Sequence, residues 1–146
     1  MLGDRHSGRS SVVSVLSGKP CPHHPGIQVT RWRAPEPGAV LEIWDVNSRS
    51  TLESLGQTFL AHAHGLVAVA DAGREDSLLA AQRALHAAFV MIGPRPACLL
   101  LNQRSGDAPA ACDLELPAGV AQHRIDAAKG DGVREAFAAL ARELAG

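Results

Sequence analysis

Two apolar runs of strand length, residues 65–71 (GLVAVAD) and Ala97–Asn102 (ACLLLN), flank a longer segment of helical period. Continuous apolar runs of this length mark strands buried on both faces, which in practice means a parallel sheet covered by helices. The segment between them, Glu75–Ile92, carries Leu78, Leu79, Leu85, Phe89 and Ile92 at spacings that gather on one helical face. A strand, a covering helix and a second strand therefore form a βαβ unit, and the chain is expected to be α/β.

The remaining segments extend this layout. Residues 10–17 (SSVVSVLS) read as a short helix stopped by Gly18 and Pro20. Residues 27–32 (IQVTRW) and 39–45 (AVLEIWD) read as two strands of a hairpin across the Pro/Gly-rich residues 34–38. A helix is expected over 51–62, a last strand over 120–125 and an amphipathic helix over 133–144, with residues 105–119 as a surface loop. At 146 residues and 46% apolar content the sequence suits one domain, 1–146, with a real core.

Charge and cysteine content narrow the function classes. A net charge of -1 gives no footprint for nucleic acid, and 3% aromatic residues give no stacking platform for single strands. Three cysteines, Cys21, Cys98 and Cys112, fit neither a disulfide framework nor a zinc ribbon. No run is long enough to span a membrane, and neither a signal peptide nor a lipidation motif is present, so a cytoplasmic protein without a direct membrane anchor is expected. The pairs His23–His24 and His62 with His64 have no Cys or carboxylate at ligand spacing.

The chemistry is concentrated at Gly3, Asp4, Arg5, His6, Ser7, Gly8, Arg9 and Ser10, which have the spacing of the phosphate loop G-x-x-x-x-G-K-S with Arg in place of Lys. Two glycines let successive N–H groups curl toward a phosphate, and the following helix adds its positive end. Ser10 would face a magnesium ion. Arg9 is longer, planar and forked, so it cannot adopt the pose of a lysine laid along the phosphates, and phosphate affinity should fall. The same spacing also serves a plain turn before a helix, and both readings stand at this point.

In their order along the chain, these segments resemble a Ras-superfamily small GTPase, closest to the divergent Rab-like group. The resemblance covers nearly the whole chain. It implies a three-layer P-loop NTPase-like (Ras-like) fold with a mostly parallel sheet, and GTP or GDP with Mg2+ as ligands. Trp44 and Asp45 resemble the W-D-x-x-G segment, with Ser48 where Gly belongs, and imply a magnesium role for Asp45 beside Ser10. Arg49 stands where a Gln would orient the attacking water and cannot accept a hydrogen bond from it, so hydrolysis should be negligible. Asn102, Gln103 and Ser105 resemble a weakened N-K-x-D motif, and Ala127, Ala128 and Lys129 resemble S-A-K, which implies base contacts at Asn102, Ala128 and Lys129. Asn102 at a strand end also reads simply as a bridge between loops. The switch threonine falls near His24, which has no hydroxyl.

The resemblance also implies a central strand running into the phosphate loop, whereas only Met1 and Leu2 precede Gly3. That strand is expected to be truncated or missing, either leaving a gap or forcing 39–45 and 65–71 to pair differently. A sequence starting late, a strand added by a partner and a reorganised fold are all consistent with this. Two functions follow. One is a degenerate pseudo-GTPase that acts through protein partners, as a subunit in trafficking or ciliary transport, reaching a vesicle or cilium through an adaptor. The other is an active guanine-nucleotide switch of Rab type. The segment 44–71, with its run AHGLV, resembles the intraflagellar-transport Rab-like proteins. A P-loop kinase ranks last, because nothing marks an acceptor site or a lid.

Overall fold

The computed structural model describes residues 1–20, 26–46, 60–104 and 106–146. Its elements in order are α1 (Arg9–Ser17), β1 (Ile27–Arg33), β2 (Val40–Val46), β3 (Leu66–Asp71), α2 (Glu75–Ile92), β4 (Ala97–Asn102), β5 (Ala121–Ile125) and α3 (Val133–Ala145). The expected α/β layout is present, with boundaries within a residue of those read from the sequence. Most of the helix expected over 51–62 lies outside the described residues.

Strands β3, β4 and β5 form a parallel sheet in that order, with Leu66 opposite Ala97 and Cys98 opposite Ala121. Strands β1 and β2 form a separate antiparallel hairpin, with Trp32 opposite Leu41 and Gln28 opposite Asp45. The two expected outcomes are a gap or a different pairing of 39–45 and 65–71; strands β2 and β3 lie in separate sheets, and Met1 and Leu2 stand between them. Leu2 bridges Ala68 in parallel, its N–H donating to Val67 C=O (2.7 Å) and its C=O accepting from Val69 N–H (2.9 Å). On the other side the Met1 ammonium donates to Trp44 C=O (2.6 Å). Two residues thus form a splint between β2 and β3.

The central strands are apolar on both faces because helices cover both. Val67, Val69, Cys98, Leu100 and Ile125 face α1, α3 and the inner side of the hairpin, where Trp32 meets Phe137 edge to face with ring centroids 6.3 Å apart. Leu66, Ala68, Ala70, Ala97 and Leu99 face α2, whose Leu78, Ala81, Leu85 and Ala88 form its buried stripe. No helix among the described residues is long and apolar enough to cross a membrane.

Cys98 and Cys112 are free thiols. Burial, with a smaller contribution from the Glu143 charge, pushes the Cys98 thiol up to about 12 from its ordinary 9.0. Its folded pKa is raised, so its contribution to stability is complete below 9.0 and is lost as pH rises toward about 12. At pH 8, iodoacetamide is expected to modify half-buried Cys112 in the native chain and to leave Cys98 intact until urea is added. Peptide mapping reads both outcomes, and native labelling of Cys98 would contradict the packing described.

Candidate functional site

The loop before α1 is positioned by the splint behind it and by contacts from three directions. Gly8, at φ 109°, turns the chain into α1, and Val12 N–H donates to Gly8 C=O (3.0 Å) to start the helix. With no acidic residue in the first turn of α1, its free N–H groups keep their partial positive charge. Arg5 and His6 lie exposed at the loop tip, whereas Ser7 is buried.

The first contact holds Asp4. Ser77 Oγ donates to its Oδ1 (2.7 Å), and Arg74 Nη2 pairs with its Oδ2 (3.2 Å) while donating to Arg5 C=O (3.3 Å). Arg74 also pairs with Asp71 (3.2 Å) and Asp76 (3.5 Å), and Ser77 Oγ accepts from Asp71 N–H (2.9 Å). Desolvation acts against the charge, but the Asp71, Asp4 and Asp76 carboxylates together hold the Arg74 guanidinium above its ordinary range. Sequence reasoning missed Arg74 and Ser77. The only signal was a charged, polar stretch at the point where a buried strand hands over to a helix.

The second contact is Asn102 at the end of β4. Its Nδ2 donates to Ser7 C=O (3.1 Å) and its Oδ1 accepts from Ala127 N–H (3.1 Å), so the amide braces the loop at 3–10 against the loop at 126–131. The bridging alternative for Asn102 is therefore what the geometry contains. That second loop closes on itself through paired Asp126 and Asp131 backbone bonds (both 3.0 Å), with Lys129 N–H donating to Asp126 Oδ1 (3.3 Å). Ala128 and Lys129 are exposed on it. A depression of about 310 Å³ beside it is lined by Gln103, Arg104, Arg124, Asp126, Asp131 and Gly132.

The third contact is Arg9. Its side chain is 10% exposed and runs to β2, where Nη1 donates to Val46 C=O (2.9 Å) and pairs with Asp45 Oδ1 (3.4 Å). Asp45 is 1% exposed. A magnesium ion keeps several waters and needs near-ideal octahedral geometry, which a carboxylate closed off from solvent and paired with a guanidinium does not offer. The residues present therefore do not fit that ion at Asp45. Ser10 is half-buried in the first turn of α1. His23, His24, Ser48, Arg49 and Ser105 lie outside the described residues. Among the described residues no group of three His, Cys, Asp or Glu side chains gathers as a metal site.

Comparison with protein-family models and with curated proteins returns no match.

Proposed function

We propose that this chain is a degenerate Rab-like small GTPase, a pseudo-GTPase that acts as a protein-interaction subunit in trafficking or ciliary transport, with weak or no GTP hydrolysis. The observation that carries the reading is Arg9. The one basic residue at the lysine position of the loop is engaged with Asp45 and the Val46 carbonyl, so the loop keeps its backbone curl while its charge serves the fold. Asn102 supports the same view, because both ends of its amide are committed to loop backbone. Residual GDP or GTP binding would then rest on backbone N–H groups and the helix end.

Two surfaces support a partner-binding role. On the outer face of the hairpin Val29 stands opposite Trp44, and both are exposed, as is Val40. Beside the splint, Leu66 N–H is directed to Pro96 C=O, so the trans peptide geometry turns Gly65 C=O and Val67 N–H toward the gap, where a partner segment could add as a strand.

The test is to purify the chain natively, denature it, identify released nucleotide by chromatography, and titrate fresh protein with labelled GDP and GTP. Folded protein with little or no nucleotide and no turnover is expected. Near-stoichiometric GDP or GTP with measurable exchange would overturn the reading in favour of an active switch of Rab type.

A further inference from the structure

Building on the reading of residues 3–10 as a residual phosphate loop, we infer that Arg9 takes the place of a divalent cation at Asp45, so that any phosphate group held by the loop is held without magnesium. Three facts converge. The Asp45 carboxylate is buried, and its neighbour at 3.4 Å is a guanidinium that is itself only 10% exposed. That guanidinium is fixed from a second side, because Nη1 also donates to the Val46 carbonyl at 2.9 Å. The Met1 amine, which donates to the Trp44 carbonyl at 2.6 Å, is lowered by burial to about 6, so near neutral pH the cation beside Asp45 is Arg9.

The consequence is one of charge balance. A buried guanidinium already neutralises this carboxylate, with Gln28 of β1 opposite it in register. A divalent cation at this position would join a buried guanidinium in a medium of low dielectric, where like charges repel far more strongly than in water. It would also have to displace a guanidinium from a buried ion pair. The loop is left with its N–H groups for an oxyanion, and these require no metal.

The experiment uses the whole chain with two probes, Mn2+ alone, read by the free-ion EPR signal, and labelled GDP in either Mg2+ or EDTA. Wild-type protein is expected to take up no more Mn2+ than Asp45→Asn. Its GDP dissociation constant should agree within about twofold between Mg2+ and EDTA. Arg9→Lys keeps the charge on a shorter side chain without the planar guanidinium that reaches Asp45 and Val46; this variant should take up Mn2+ and make GDP binding about tenfold tighter in Mg2+. The inference is overturned if wild-type Mn2+ uptake disappears in Asp45→Asn, or if wild-type GDP binding tightens about tenfold with Mg2+. Absence of GDP binding under every condition would refute the phosphate-loop reading itself, while the Mn2+ comparison would still decide the role of Arg9.

Discussion

Phe137→Ala is expected to lower the unfolding free energy by about 3–5 kcal/mol, the range for removing a fully buried aromatic ring from a core. The ring is 1% exposed and meets Trp32 of β1 edge to face at 72°. It therefore joins α3 to the hairpin in the same cluster that holds Val12 and Leu16 of α1. In a chain of this size the melting temperature should fall by about 10 °C. Phe137→Leu, which keeps much of the volume, should cost about 1.5 kcal/mol or less. Urea unfolding of the three proteins provides the comparison. A loss below about 1 kcal/mol for Phe137→Ala would mean that the hairpin does not depend on this contact for its packing.

Gly8→Ala is expected to cost about 2–4 kcal/mol, made up of backbone strain and disturbed hydrogen bonds. At φ 109° a side chain is unfavourable, and a Cβ there would overlap the Asn102 amide. Asn102 cannot retreat without releasing Ser7 C=O or Ala127 N–H. Gly18→Ala is the control, since that residue also has positive φ (70°) but has open space around it. It should cost only about 1 kcal/mol, the backbone component alone. Equal losses at the two positions in chemical denaturation would show that the Asn102 brace yields.

The difference between these two glycines shows what was legible in the sequence. Both looked like punctuation around a helix, and that much was correct. Which of them presses against a side chain from β4 depends on a contact between residues 8 and 102, distant in sequence, that no local pattern encodes. The strands 66–71 and 97–102 were readable because burial on both faces leaves an unbroken apolar run, and the hairpin because residues 34–38 are rich in turn formers. Leu2 was unreadable as a strand, because a two-residue element has no period and is defined only by its partners in β3. Arg9 was visible as a departure from lysine, but its direction was not. Its reach to Val46 follows from side-chain length and from a carboxylate brought near by the fold. Arg74 and Ser77 carried no motif at all, and Asp4, although inside the loop motif, gave no sign of them as partners; the three were found only as a cluster.

The loop at residues 3–10 is fastened to β2 through Arg9, to β4 through Asn102 and to the start of α2 through Asp4. A molecular switch requires a part with two arrangements of similar free energy, and a ligand that prefers one of them. A segment tied down from three sides has already lost its conformational entropy during folding, so a ligand arriving there has little ordering left to perform. If the proposed reading holds, occupancy of this loop would carry little information to the rest of the molecule: a phosphate would come and go while the surface offered to partners stayed the same.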